Sequence, residues 1–156
     1  MRLTSTVIQE GREIPIVYTS DGDNISPELS WHDAPGKTQS FALIVHDPDA
    51  PRPGGFTHWL LYNIPVQVKH INENVPHDEE IPGLGLQGKN DAGKIGYIGP
   101  APPSGTHRYF FRLFAIDKLL TLPPGASHKQ LSAAVKGHIL AQAELMGTYE
   151  KKSQAA

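Results

Sequence analysis

The sequence predicts an all-β fold with one peripheral helix. It contains 15 glycines and 14 prolines among 156 residues, above the average usage of about 7% and about 5%, and these residues are scattered along the chain. Its apolar runs are short and rich in β-branched and aromatic residues, as in buried strands. A helical spacing of apolar residues occurs near the C-terminus alone. Many short strands joined by tight turns indicate a sandwich or a barrel.

The first thirty residues contain three short extended segments. Residues 3–8 alternate polar and apolar side chains, which is typical of a strand. Residues 14–18 include Pro15, which cannot donate a backbone hydrogen bond, so this segment is predicted to be an edge strand or an extended stretch. Residues 26–31 are predicted to be extended, with Trp31 pointing into the core.

Two apolar runs enclose a polar loop in the first half of the chain. Residues 40–45 and 59–64 are apolar on both alternating faces, which predicts two buried strands. The loop between them is rich in proline and glycine and carries Asp47 and His58. Asp47 is therefore expected to leave one strand close to the point at which His58 enters the next.

The clearest strand signal lies at residues 107–116. Because side chains alternate along a strand, His107 and Tyr109 share one face, while Arg108 and Arg112 share the other. The two arginines are expected to form ion pairs on their own face. The preceding stretch is too rich in proline to be a helix or a central strand, so it is predicted to be a stiff loop.

The predicted helix follows the Pro123-Pro124-Gly125 turn. Ser127 with Gln130 three positions later fits a capping box. Apolar residues then recur every four positions, which predicts one apolar stripe along a helix. Gly147 is expected to terminate this helix. The stripe consists of Leu131, Val135, Ile139 and Ala143.

Length and composition set the limits of the fold and of the compartment. The length predicts one domain, residues 1–150, followed by a C-terminal tail at 151–156. The absence of cysteine excludes disulfides and thiolate chemistry. A net charge of -2 and the lack of a basic block argue against a nucleic-acid partner. No secretory signal and no transmembrane segment is expected, so the predicted location is cytoplasmic.

Four polar residues stand at predicted strand ends and form the candidate site: Asp47, His58, His107 and Tyr109. They converge if the two strand pairs share one edge of a sandwich. Imidazoles, a phenol and loop amides are mostly hydrogen-bond donors, which suits a phosphate or a carboxylate. Asp47 would accept a hydrogen bond from a histidine and raise the pKa of that histidine.

Spacing alone leaves other interpretations open. The same residues could be satisfied polar groups at strand ends. Two histidines and one carboxylate also match a facial triad for iron or another transition metal. A hydrolase is a further alternative, although the nearby hydroxyls of Thr57, Ser104 and Thr106 lack a nucleophile-elbow context.

Several motifs taken in order resemble the phosphatidylethanolamine-binding proteins, also called Raf kinase inhibitor proteins. An early segment at residues 24–31 and a late one at residues 137–149 resemble the bacterial and archaeal branch of that family. The resemblance covers nearly the whole chain. The central motifs are Asp47-Pro48-Asp49-Ala50-Pro51 with His58, then Tyr97-x-Gly99-Pro100-x-Pro102-Pro103, and then Gly105-x-His107-Arg108-Tyr109.

The resemblance implies a two-sheet antiparallel Greek-key β-sandwich with a peripheral helix. It also implies a small anion pocket and a cis Ala50–Pro51 bond. The loop at residues 52–57 is shorter than in the animal proteins, and Ala101 replaces a glycine, so head-group selectivity is expected to differ. The implied pocket residues are Asp47, Asp49, His58, His107 and Tyr109, with backbone at Gly99 and Ala101.

The function that the resemblance implies is binding without catalytic turnover and without a cofactor. The expected ligand is phosphate, or a phosphorylated head group or side chain. The implied protein partners are kinases or proteases that the chain would inhibit, and a homodimer is compatible with the resemblance. The alternative is a metal-dependent or hydrolytic enzyme that uses the same Asp and His cluster.

Overall fold

The computed structural model describes residues 1–152, so most of the tail predicted at 151–156 lies outside the described residues. This part of the chain contains nine strands and one α-helix. None of its helical structure has the length and apolar content of a transmembrane span. The strands are β1 (Arg2–Thr4), β2 (Leu29–His32), β3 (Ser40–Asp47), β4 (Phe56–Pro65), β5 (His70–Ile71), β6 (Glu80–Ile81), β7 (Gly85–Gln87), β8 (Thr106–Ile116) and β9 (Ile139–Glu150), and the helix is α1 (His128–Val135).

The strands form two antiparallel sheets, which confirms the all-β prediction. The smaller sheet has the order β1-β2-β5, and the larger has the order β6-β7-β4-β3-β8-β9. In the larger sheet β3, β4 and β7 lie side by side, and β8 returns to pair with β3. This is the Greek-key order of strands. It brings the start of β8, which carries His107, next to the end of β3, which carries Asp47. The candidate site requires these two strand ends to lie together.

Apolar side chains cover both faces of the larger sheet. One face packs against the smaller sheet, and its core includes Trp31 and Trp59, both at most 1% exposed. The other face packs against α1 through a second cluster that includes Ile44, Leu60 and Leu131. Burial on both faces explains why residues 40–45 and 59–64 carry apolar side chains on both alternating faces.

The C-terminal helix is shorter than predicted. Its capping box at Ser127 and Gln130 is present, but the helix ends at Val135 and residues 139–150 form a strand. Gly137 has a φ of 81°, in the left-handed region that glycine adopts without strain, and this turn redirects the chain. Gly147 lies inside β9, where an added Cβ would stand 2.6 Å from Ile14 Cγ1.

The segment predicted as an edge strand near Pro15 is a short 3-10 helix instead. It spans Ile16–Tyr18 and follows Pro15 directly. The residues just before it contact the sheet edge, where Glu13 bridges Thr148 of β9. Proline fixes φ near the helical value, so the turn continues from it without strain.

Candidate functional site

The two polar segments singled out in the sequence meet at one cavity of about 220 Å³. It opens where β3 ends, β4 begins and β8 begins, and the proline-rich loop before β8 closes one side. Apolar side chains make up most of the wall, and a few polar groups converge within it. The lining residues are Asp47, Ala50, Pro51, Arg52, Phe56, His58, Ile98, Gly99, Ala101, Pro102, Pro103, His107 and Tyr109.

Asp47 and His107 form a buried pair in this wall. His107 Nδ1 lies 2.6 Å from Asp47 Oδ2, and the two residues are 7% and 3% exposed. Both belong to strands that pair directly, β3 and β8, so the backbone register fixes their approach. Because Asp47 accepts a hydrogen bond from the Nδ1–H group of His107, the Nε2 atom of His107 is the ring nitrogen left for other contacts.

A β-bulge turns His58 toward the cavity. Val45 pairs with Trp59, but His46 pairs with Thr57, so β4 has one extra residue at this point. Thr57 consequently shares the outer face with His46, whose Nδ1 lies 3.1 Å from Thr57 Oγ1. His58 is displaced to the cavity side with Asp47. Bulges commonly redirect a side chain next to a site in this way.

His58 presents a hydrogen-bond acceptor, whereas the sequence suggested a donor. Its Nδ1 lies 2.7 Å from the carbonyl oxygen of Ile98, so Nδ1 carries the proton and donates. Burial lowers the pKa of His58 to about 4, and the bond to Ile98 and the charge of Asp47 only partly offset that effect. At neutral pH the ring is therefore uncharged and its Nε2 is a free lone pair.

Tyr109 contributes a hydroxyl without a hydrogen-bond partner within residues 1–152. Its ring packs edge-on against His58, with the centroids 5.2 Å apart, and stacks near His107 at 6.4 Å. Burial raises the pKa of the phenol well above its ordinary value, so the hydroxyl keeps its proton. A buried donor without an acceptor costs about 1–3 kcal/mol. An acceptor bound in the cavity would remove this cost.

Gly99 lines the cavity, but its N–H is already used. It donates to Asn24 Oδ1 at 2.7 Å, and an added Cβ would lie 2.5 Å from the carbonyl oxygen of Tyr18. The glycine is therefore required for close packing against the loop that contains Asn24. Ala101 also lines the cavity.

Arg52 and Phe56 are cavity residues that were not among the predicted site residues. The guanidinium of Arg52 lies over the Phe56 ring, 5.6 Å from its centroid, and the Phe56 ring is 4.8 Å from that of His58. Both residues belong to the segment at 52–57, in which Phe56 begins β4. A cation-π pair at the mouth of the cavity leaves no periodic pattern in the sequence.

The sequence of this chain matches a known protein family over most of its length. A family model described as phosphatidylethanolamine-binding protein matches residues 4–150. The chain belongs to the phosphatidylethanolamine-binding protein family. It is 48% identical over 151 residues to a UPF0098 protein of Methanothermobacter thermautotrophicus, covering 97% of this chain and 99% of the relative. A UPF0098 protein of Aquifex aeolicus is 49% identical over 154 residues, with 97% and 89% covered.

Two solved structures show the same fold as this phosphatidylethanolamine-binding protein family member. A homologue of the family from Chlamydia trachomatis superposes with a TM-score of 0.89 at 43% identity, covering 97% of each chain. E. coli YbcL, described as a member of the mammalian family, gives a TM-score of 0.90 at 31% identity, with 97% of this chain and 98% of that chain covered. The two-sheet architecture expected from the resemblance is thus confirmed.

Two expectations taken from the family differ in this member. Asp49 is absent from the cavity lining and pairs with Arg108, with Oδ2 and Oδ1 each accepting a guanidinium hydrogen bond at 2.9 Å. That hydrogen-bonded pair lowers the pKa of Asp49 to about 2. The Ala50–Pro51 bond is trans, so the prediction of a cis bond was wrong.

The two arginines of β8 form ion pairs on the face opposite His107, as the alternation predicted. Arg108 pairs with Asp49, and Arg112 Nε lies 2.8 Å from Glu144 Oε2. Neither guanidinium is therefore free to serve as the positive charge of the cavity.

The metal interpretation receives no support from the arrangement of side chains. Across residues 1–152, no group of three or more His, Asp or Glu residues is placed to hold a metal ion. The Asp47 carboxylate and His58 Nδ1 are both engaged within the protein. Thr57, one of the hydroxyls considered as a nucleophile, contacts His46 and His128 on the outer face.

Proposed function

We propose that this member of the phosphatidylethanolamine-binding protein family binds a small anion or a phosphorylated group in the cavity between β3, β4 and β8, without turning it over. The ligand would enter past the proline-rich loop and Arg52. Its oxygens would meet Tyr109, His107 and His58 at the polar end of the cavity. The apolar wall would accommodate the carbon atoms attached to the anionic group.

The observation that carries this proposal is the unpartnered hydroxyl of Tyr109. It is a buried donor in the wall of a cavity that also exposes two imidazole rings. Buried polar groups are nearly always satisfied, so an exception next to a cavity points to a ligand acceptor.

The test is a calorimetric titration of wild type and Tyr109→Phe with inorganic phosphate, phosphoethanolamine and phosphotyrosine. Removal of this hydroxyl breaks no hydrogen bond within residues 1–152, so the variant should fold normally. One lost bond to a charged ligand should weaken affinity about tenfold or more. The three ligands distinguish a free ion, a lipid head group and a phosphorylated side chain.

Tyr62→Phe is the matched control because its hydroxyl donates to the Pro123 carbonyl on the other face of the sheet. It should leave the affinity unchanged. The proposal fails if none of the three ligands binds wild type, or if Tyr109→Phe binds them as well as wild type does. If phosphotyrosine binds, the inhibition of a kinase or a protease, which the resemblance implies, would act through a phosphorylated side chain held in this cavity.

A further inference from the structure

The polar end of the cavity carries no net positive charge, although it is proposed to bind an anion. Asp47 and His107 are hydrogen-bonded to each other, and the carboxylate offsets any charge on the imidazole, so this pair supplies no net positive charge. His58 and Tyr109 are both uncharged at neutral pH. These four side chains therefore provide no positive charge to balance the two negative charges of a phosphate dianion.

Charged groups outside the cavity do not supply the missing charge. Arg108 is paired with Asp49 through two hydrogen bonds to its side-chain nitrogens. Beyond the sheet, His46 lowers and Asp91 raises the pKa of His58, and both effects rank below burial. The electrostatics of the cavity therefore depend on its own lining.

Arg52 is a positively charged residue at the mouth of the cavity, and its guanidinium is available to a ligand. Its side chain is exposed and forms no ion pair with any residue in the described part of the chain. Its position is fixed by the turn that contains it, since Arg52 N–H donates to the Ala50 carbonyl and Gly55 N–H donates to the Arg52 carbonyl. The guanidinium also rests on Phe56. It can neutralise one negative charge, and not two.

Two of the remaining groups, Tyr109 and His58, specify where a proton must lie on the ligand. Tyr109 donates and can meet a bare ligand oxygen, while His58 Nε2 is a lone pair that needs a hydrogen. A ligand that offers both a bare oxygen and an O–H satisfies both. A phosphoryl group with one proton has this arrangement, whereas sulfate and carboxylate at neutral pH offer bare oxygens only.

We propose that the cavity selects a singly protonated, singly charged phosphoryl group, with Arg52 neutralising its charge, Tyr109 donating to one oxygen and His58 Nε2 accepting from another. This inference rests on the proposed function and adds the ionisation state of the ligand. A phosphate monoester loses its second proton near pH 6. Above that pH, binding must therefore take up about one proton from solvent, held between the ligand oxygen and the His58 ring.

The test is calorimetry with methyl phosphate and with sulfate, at pH 5.5 and at pH 8. Titrations at pH 8 in two buffers of different ionisation enthalpy count the protons taken up. We expect uptake of about one proton per methyl phosphate at pH 8, far less at pH 5.5, and an affinity that falls about tenfold per pH unit above about pH 6. Sulfate should bind at least about tenfold more weakly than methyl phosphate at pH 5.5.

Arg52→Gln tests the origin of the compensating charge. It should weaken methyl phosphate binding about tenfold or more, and Arg52→Lys should restore part of the loss. Arg2→Gln makes the same charge change on β1, which contributes nothing to the cavity lining, and should have no effect. Binding that depends on Tyr109 but shows no proton uptake at pH 8, equal affinity for sulfate or indifference to Arg52→Gln would overturn this inference alone. Absence of anion binding would overturn the proposed function.

Discussion

Asp47 and His107 lie 60 positions apart in the chain, and their side chains meet at 2.6 Å in a buried wall. The contact joins the end of β3 to the start of β8, so it connects the two strands at the point where the cavity opens. A surface counterpart exists at Asp117 and His138, which lie 2.8 Å apart but are 41% and 38% exposed. The two pairs differ mainly in burial, which makes them a matched comparison.

We expect Asp47→Asn to destabilise the protein by about 3 kcal/mol, because it leaves a buried histidine without its charged partner. Asp117→Asn should change stability by about 1 kcal/mol or less, since an exposed pair is screened by solvent. Urea unfolding monitored by tryptophan fluorescence measures both. Equal losses in the two variants would mean that burial of the Asp47 pair has no energetic consequence.

His58 should make the protein less stable as the pH falls. The pKa of its folded state is about 4, below the value of about 6.5 for an exposed histidine. Between pH 6.5 and pH 4 the unfolded chain therefore binds a proton that the folded chain does not, and folding weakens. The expected loss from this residue is about 2 kcal/mol between pH 7 and pH 5.

The measurement is urea unfolding of wild type and His58→Gln at both pH values. The difference between the two proteins isolates His58 from the other histidines. Its folded-state titration can also be followed directly by NMR of the ring protons. A midpoint near pH 6.5, with no difference in pH dependence between the two proteins, would contradict an uncharged His58.

Gly99→Ala should destabilise the protein by about 2 kcal/mol or more and disturb the cavity wall. The new methyl group would lie 2.5 Å from the Tyr18 carbonyl oxygen and 2.6 Å from Asn24 Oδ1, so backbone must move. Gly36→Ala is the control because an added Cβ there meets nothing within 4 Å. Thermal unfolding compares them. A Gly99→Ala protein as stable as Gly36→Ala would show that this close approach is easily relaxed.

Asp49→Asn distinguishes the observed arrangement from the family expectation. Since Asp49 pairs with Arg108 outside the cavity lining, its loss should leave phosphate affinity within about twofold of wild type and cost about 1 kcal/mol of stability at most. Calorimetry and urea unfolding measure the two effects. A loss of affinity as large as that of Tyr109→Phe would place Asp49 among the ligand contacts.

Those parts of the site that depend on simple alternation were predictable from sequence. His107 and Tyr109 share a face because they are two apart on a regular strand, and Arg108 faces the other way for the same reason. The position of His58 was not predictable in this way. It depends on one extra residue in β4, and a shift of one residue exchanges the two faces of a strand.

The region after Val135 shows a different limit. Residues four apart share one face of a helix, but they also share one face of a strand, because four is a multiple of two. Leu131, Val135, Ile139 and Ala143 fit both patterns. The left-handed turn at Gly137 and the pairing of β9 with β8 decided between them, and neither is visible in the spacing.

The bulge in β4 also determines whether His58 lies in the cavity at all. With it, Thr57 points toward α1 while His58 and Trp59 both point inward. Deleting one residue at this point would move the imidazole of His58 to the opposite face of β4 and withdraw its Nε2 from the cavity. The presence of His58 in the cavity therefore depends on the number of residues in β4 as well as on their identity.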